Sequence, residues 1–211
     1  MMFDDRRDAG KKLAEKLTHL RKADAVVLAL PRGGVEIGAE IAHALSLPLD
    51  IIVTRKVGYP GHPEYAIGAV DEKGTVILNE LEADALDRAW LAEEVERQKK
   101  EAARRLTRYR GNRPSTSLAK KIALIVDDGI ATGLTMRLAV RIAREGGARK
   151  IIVGVPVAPE SATAMLKKEG ADEVIVLLPP EEFLGAVGAH YIDFPQLTDE
   201  EVVRFLSKAA V

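Results

Sequence analysis

Apolar strands alternating with amphipathic helices predict an α/β fold, a mainly parallel sheet covered by helices on both faces. Strands are expected at Ala25 to Leu30, Leu49 to Thr54, Ala123 to Val126, Lys150 to Val155 and Glu173 to Leu178, with helical segments between them. Short polar motifs follow three of these strands: Pro31-Arg32-Gly33-Gly34, Arg55-Lys56 and Asp127-Asp128. They fall at carboxyl ends of strands, where sheets of this kind bind ligands. With 211 residues, 47% of them hydrophobic, the chain can bury one sizeable core and carry an appendage.

Composition narrows the partners. There are 31 basic and 32 acidic residues and a net charge of -1, so no global field draws the chain to nucleic acid or to a membrane surface. Cysteine is absent, which excludes disulfides, thiol catalysis and cysteine-bound metals. No apolar run is long enough to span a bilayer and no signal-like segment opens the chain, so a cytoplasmic protein is expected. Asn79, Asn112, Gln98 and Gln196 are the only amides beside 30% charged residues, a usage that fits a thermophilic source.

Taken in order, Asp4 to Leu20 reads as a packing helix, with Leu13, Leu17 and Leu20 at helical spacing. Ala25 to Leu30 runs through the glycine pair into a helix at Val35 to Leu45. Leu49 to Thr54 then leads into Arg55-Lys56-Val57-Gly58, and the prolines and glycine of Tyr59 to Tyr65 read as a loop in which His62 is a surface residue. Short strands at Ala66 to Val70 and Thr75 to Leu78 flank the turn Asp71 to Gly74. Ala83 to Arg110 contains no Gly or Pro and reads as one long helix, acidic in its first half and basic in its second. The basic half, with Arg97, Arg104, Arg105 and Arg108, is read as a solvated face suited to the helix dipole; the alternative is an RNA-binding stripe. Gly111 to Ser117 is a linker, and Pro159 to Lys168 another helix. After Pro179-Pro180 the chain is irregular until Thr198-Asp-Glu-Glu201, a capping box that opens a terminal helix.

The densest motif is Val126-Asp127-Asp128-Gly129-Ile130-Ala131-Thr132-Gly133-Leu134-Thr135. A strand, an acidic pair, a loop of small residues and a helix N-terminus follow one another. Such a loop turns several N–H groups toward one point at the positive end of a helix, which suits a phosphate, while carboxylates suit neighbouring hydroxyls. A phosphate at one end and a diol at the other describe a ribose 5-phosphate. No Lys follows the glycine as in a P-loop, and no Gly-x-Gly-x-x-Gly occurs in the chain.

At these residues the sequence resembles the type I phosphoribosyltransferases, whose signature is an apolar strand, two acids, three variable residues and Thr/Ser-Gly-x-Thr/Ser. The resemblance covers most of residues 24–178. It implies that Asp127, Asp128, Gly129, Ile130, Ala131, Thr132, Gly133 and Thr135 hold the ribose and 5'-phosphate of phosphoribosyl pyrophosphate. Arg32, Gly33, Gly34, Arg55 and Lys56 would meet its pyrophosphate, with Asp127, Asp128 and Arg32 the catalytic groups. Without that resemblance, the Gly33-Gly34 turn could equally be a plain tight connection and Arg55-Lys56 a solvated loop. Mg²⁺ would arrive with the substrate, with no direct protein ligands. A hood formed by the tail would select the nitrogenous acceptor, a purine base such as a 6-oxopurine being the expectation, with Phe183, Tyr191 and Phe194 stacking and His190 or Asp193 accepting hydrogen bonds. The family also leads us to expect a cis bond between Pro31 and Arg32. The implied organisation is a core of 1–58 and 116–180, an inserted 59–115 and a hood of 181–211. The expected partners are phosphoribosyl pyrophosphate and a small-molecule acceptor, with no membrane and no nucleic acid; a homodimer is the oligomer considered. The competing reading is a non-catalytic ribose-phosphate sensor.

Overall fold

The computed structural model describes residues 2–208, so the outermost bounds of the expected core and hood segments, residues 1 and 209–211, lie outside it. Helix α1 (Arg6–Lys16) begins where the Asp5 carboxylate accepts from the Asp8 N–H, and it buries Ala9, Leu13 and Ala14. Strand β1 (Ala25–Ala29), helix α2 (Gly34–Leu45) and strand β2 (Leu49–Ile51) form the first parallel unit. A second unit follows residue 116: β6 (Ile122–Val126), α5 (Leu134–Glu145), β7 (Lys150–Val155), α6 (Glu160–Glu169) and β8 (Glu173–Val176). The five strands make one wholly parallel sheet in the order β2-β1-β6-β7-β8.

The side-chain period of two sorts this sheet's residues onto two cores. Val27, Ala29, Leu124, Val126 and Ile152 face α1, α2 and the terminal helix α7 (Asp199–Lys208). Val26, Leu28, Ala123, Ile125, Ile151 and Val153 face α5 and α6. Both faces are therefore covered, as the alternating pattern predicts. Gly38 of α2 permits this closeness, since a Cβ there would stand 2.9 Å from the Ala29 Cβ.

Between the two units the chain departs from the sequence expectation. The run Leu49 to Thr54 is not one strand: β2 stops at Ile51, and β3 (Thr54–Tyr59) begins a separate antiparallel sheet with β4 (His62–Asp71) and β5 (Val76–Leu78). Tyr59 to Tyr65 is correspondingly a hairpin rather than a loop, turning only at Pro60-Gly61, with Gly61 at φ +75°. Pro63 is tolerated because it lies beyond the part of β4 that pairs with β5. Gly58 lets the strands approach there, as a Cβ would fall 2.7 Å from the Pro63 Cα. The turn 71–74 forms as expected: the buried Asp71 carboxylate accepts from the N–H groups of Lys73 and Thr75 at 2.9 and 2.7 Å.

The long helix is also shorter than expected. A single turn α3 (Glu80–Ala83) precedes α4 (Arg88–Arg110), because the Asp87 carboxylate captures the Trp90 N–H at 2.8 Å and caps a new start. Leu86, Trp90, Leu91 and Val95 pack against Val57, Ile67 and Val70 of the hairpin. Its basic half lies against the first turn of α7, where Arg108 pairs with Asp199 and Glu200. The terminal helix opens with the expected capping box, Thr198 and Glu201 exchanging backbone-to-side-chain bonds.

Candidate functional site

The Pro31–Gly34 and Asp127-Asp128 motifs meet at the carboxyl ends of β1 and β6. The Leu30 N–H donates to the Val126 carbonyl at 3.0 Å, carrying the pairing of these strands one residue past β1. Directly beyond, the Pro31–Arg32 peptide is cis, as expected, and Gly33 and Gly34 pass against the acidic pair. A Cβ on Gly33 would lie 1.8 Å from Asp128 Oδ2, and one on Gly34 would lie 2.9 Å from the Asp127 Cα. The glycine pair is required here because the Asp127-Asp128 turn occupies the space that side chains would take. The helix starting at Gly34 and the helix starting at Leu134 thus flank one cleft.

Gly133 takes φ +81°, which sets the loop at the N-terminus of α5. Among the described residues the N–H groups of Ala131, Thr132 and Gly133 and the hydroxyls of Thr132 and Thr135 have no hydrogen-bond partner in the chain. Open donors at the positive end of a helix form an anion cradle. Ile130 contributes otherwise: its N–H donates to the Val157 carbonyl at 2.9 Å and its side chain is buried, so it anchors the loop to the core. Gly129 packs against Val157 and Val187, which a Cβ would meet at 2.7 and 2.5 Å.

Arg6, which lies outside every motif in the sequence, organises the acidic pair. Its side chain is 6% exposed, and its Nε donates to Asp128 Oδ2 at 2.8 Å while Nη1 donates to the Pro195 carbonyl at 2.6 Å. The guanidinium lies 3.8 Å from the centre of the Phe194 ring, Phe194 stacks on Tyr191 at 4.6 Å, and the Tyr191 hydroxyl donates to the Asp128 carbonyl at 2.6 Å. One arginine from the N-terminal helix therefore fastens the tail segment to the acidic turn. Its signal in the sequence is its register: Arg6 heads the stripe Ala9, Leu13, Leu17 that α1 buries.

The two carboxyls differ electrically. Burial and the adjacent Asp128 charge push Asp127 well above the usual carboxylate range. Burial also raises Asp128, but the Arg6 guanidinium opposes the shift. Asp127 Oδ1 in turn accepts the Asp128 N–H at 2.8 Å. Burial thus favours the protonated form of both carboxyls, more strongly at Asp127 than at Asp128, where the buried arginine opposes it.

The expected cations separate. Arg55 and Lys56 do not end a strand of the parallel sheet; they sit inside antiparallel β3, opposite Val70 and Ala69. Arg55 donates to Gln98 of α4 at 3.1 Å, and burial, then the Arg105 charge and more weakly that of Arg32, pull it below its ordinary value. It therefore shares the cleft side with Arg32. Lys56 points to the hairpin's outer edge, where it meets the exposed Glu64 at 2.5 Å. Arg32 itself pairs with Asp199 of α7 at 3.8 Å.

In the tail, Tyr191 is buried between Phe3 and Phe194, so its ring is not presented to the cleft. Phe183 stacks on His190 at 5.5 Å, and the buried His190 Nε2 accepts from the Leu184 N–H. The Asp193 side chain is exposed and its N–H donates to the Asp4 carbonyl. No helix among the described residues is long and apolar enough to cross a membrane.

Comparison with known proteins agrees with this geometry. The family model described as a phosphoribosyl transferase domain matches residues 4–183. Two curated proteins of Mycobacterium tuberculosis, from strains CDC 1551 and H37Rv, are each 44% identical over 210 residues, 99% of this chain; their names assign phosphoribosyl transferase activity provisionally. The match spans 47% of their length, so the chain is about half as long as these relatives. The crystal structure of TT1426 from Thermus thermophilus superposes with a TM-score of 0.82 at 43% identity, covering 100% of both chains. With the signature strand, acidic pair and glycine-threonine loop in place, the chain belongs to the phosphoribosyl transferase domain family.

Proposed function

We propose that this protein transfers the phosphoribosyl group of phosphoribosyl pyrophosphate to a nitrogenous acceptor and releases pyrophosphate. The observation that carries the reading is the contiguity of three features in one cleft: the open amides at the α5 N-terminus, the Asp127-Asp128 pair and the Arg32-Gly33-Gly34 turn. The amides of Ala131, Thr132 and Gly133, with the Thr132 and Thr135 hydroxyls, take the 5'-phosphate. Asp127 and Asp128 accept from the ribose hydroxyls, and Arg32 with Arg55 faces the pyrophosphate. Lys56, held by Glu64 at the outer edge of the hairpin, lies outside this set.

In the reaction the bond from C1 of the ribose to the pyrophosphate oxygen breaks, its electron pair leaves with pyrophosphate, a lone pair of the acceptor nitrogen forms the new bond to C1, and the proton of that nitrogen passes to the released pyrophosphate or to water. Positive charge grows on the ribose ring while negative charge grows on the leaving group. Arg32 stabilises the latter, and the fixed carboxylates lie beside the former. The donor set suits a substrate that brings its own Mg²⁺, because Asp127 and Asp128 offer carboxylates to the diol. Bound there, Mg²⁺ supplies positive charge to the departing oxygens.

A planar acceptor, a 6-oxopurine in the first instance, would stack on Phe183, the tail aromatic not enclosed by Tyr191 and Arg6. The basic half of α4 is engaged by Glu101, Asp199 and Glu200, which supports a reading without RNA. Calorimetric titration with Mg²⁺ and phosphoribosyl pyrophosphate tests the binding step, and pyrophosphate release with a panel of nucleobases and small amines tests transfer. Binding without release on any acceptor would favour the sensor; no heat at millimolar ligand would sink both readings.

A further inference from the structure

The Asp199 carboxylate is the focus of four donors from two elements, the turn after β1 and helix α4. Arg32 Nη1 lies 3.8 Å from Oδ1, to which the Tyr109 hydroxyl donates at 2.6 Å. Arg104 Nη2 and Arg108 Nη1 lie 3.9 and 3.1 Å from Oδ2. Three guanidiniums and a phenol around two oxygens form the donor array that a phosphate group would receive. Asp199 is only 14% exposed although it stands in the first turn of an otherwise amphipathic surface helix. It is also the one acid with which Arg32 pairs among the described residues.

Positive charge is in surplus on this side of the cleft. Among the described residues Arg55 has Gln98 as its hydrogen-bond partner and no carboxylate within ion-pair reach, although Arg105 and Arg32 are near enough to oppose its charge. Arg105 is balanced by Glu101, which it shares with Arg104. Between the turn that carries Arg32, the hairpin and α4, the partly exposed cations therefore exceed the acids that face them. The Tyr109 hydroxyl, 1% exposed as a residue and pushed up to about 12 by burial and then by Asp199, remains a donor across the physiological range.

We propose that the anion site of Arg32 extends onto α4, where Arg104, Arg108 and Tyr109 complete it, and that Asp199 fills it as an internal counter-anion which a diphosphate group must displace or share. This rests on the phosphoribosyl reading, because that reaction brings a diphosphate to Arg32. It gives α4 a part in holding the leaving group, and it makes the terminal helix a brake on pyrophosphate affinity rather than a support for it.

The test is the affinity for inorganic pyrophosphate with Mg²⁺, measured by calorimetry at low and high salt, with melting curves on every variant. Asp199→Asn keeps the shape and an acceptor for Tyr109 but removes the charge. It should bind pyrophosphate about 3- to 10-fold more tightly than wild type, the scale of one or two partly exposed ion pairs, and the gain should shrink as salt rises. Glu200→Gln makes the same change of net charge at a residue that is 74% exposed and pairs with Arg108 from the solvent side, and it should tighten binding less. The double variant Arg104→Gln, Arg108→Gln should weaken pyrophosphate binding about 3- to 10-fold. A supporting role for Asp199 gives the opposite sign, weaker binding in Asp199→Asn, and that result overturns the proposal, as does a double variant that binds like wild type. If wild type binds phosphoribosyl pyrophosphate while these variants leave pyrophosphate affinity unmoved, the α4 extension alone is wrong. If neither wild type nor Asp199→Asn binds pyrophosphate or phosphoribosyl pyrophosphate, the phosphoribosyl reading falls with it.

Discussion

The two sides of the cleft are built by different physics. Around Asp128 the charge is enclosed: Arg6 is buried, its guanidinium is capped by Phe194, and Tyr191 holds the backbone carbonyl from the tail. Across the cleft, Arg32 of the turn after β1 and the cations of α4 are partly exposed and share acids, with Glu101 serving Arg104 and Arg105 and Asp199 serving Arg32, Arg104 and Arg108. Enclosed pairs have one arrangement and are costly to break, whereas exposed pairs exchange partners at small cost. The acidic turn is therefore set before any ligand arrives, and the cationic side is adjustable.

The sharpest way to break this contrast is to remove the enclosed cation. Arg6→Ala leaves Asp128 without its partner and frees the tail, at Phe194 and Pro195, from α1, and should cost about 3 to 5 kcal/mol in urea unfolding. A loss below about 1 kcal/mol, the scale of an exposed pair, would show that the turn is not locked.

The two carboxylates then separate binding from stability. Asp127→Asn and Asp128→Asn should each weaken phosphoribosyl pyrophosphate on the order of 10- to 100-fold, the scale of a charge-assisted bond to a hydroxyl. Asp128→Asn also orphans Arg6 and should lower stability, while Asp127→Asn should not. The sign follows from the raised Asp127 value: the folded state holds this proton more tightly than the unfolded one, so the group favours folding as pH falls and costs stability when ionised. Ligand binding has the reverse dependence. It needs the carboxylate, so affinity should fall as pH drops through a point above the ordinary carboxylate range, and Asp127→Asn should flatten that limb in a titration series at several pH values.

A smaller effect is expected in the loop. Gly133→Val puts a branched side chain at φ +81°, a conformation costing about 1 to 2 kcal/mol for an L-residue, although a Cβ itself has room, with its nearest neighbour at 3.5 Å. Thr132→Ala removes one donor among several and should weaken binding by about 0.5 to 1.5 kcal/mol. Calorimetry ranks the two, and a more damaging Thr132→Ala would mean that the hydroxyl outweighs the backbone cradle. Smallest of all, Lys56→Ala should change the unfolding free energy by about 0 to 1 kcal/mol and leave phosphoribosyl pyrophosphate affinity unchanged, since its partner Glu64 is 91% exposed. A loss of affinity of about tenfold would bring the hairpin edge into the site.

By itself, the sequence determined the parallel sheet, both helix layers and the acidic loop. These depend on local pattern and on contiguous motifs: the unbroken apolar run Ala123 to Val126, the helix beginning beside Gly133, the capping box at Thr198 and Glu201. Tertiary structure decided what depends on partners far apart in the chain. The apolar run Leu49 to Thr54 divides between two sheets because Thr54 onward pairs with β4, a choice that no window of neighbouring residues contains. Asp87 set a new start inside the expected long helix with one side-chain bond that competes with helix continuation, a balance too fine for the absence of Gly and Pro to settle. Arg6 reaches Asp128 across 122 positions, and Asp199 gathers Arg32, Arg104 and Arg108 from two remote elements. A lone arginine on a helix and a lone aspartate in a capping box look ordinary in sequence. They acquire chemistry only when folding removes water from around them and makes each buried charge depend on the particular partner placed within reach.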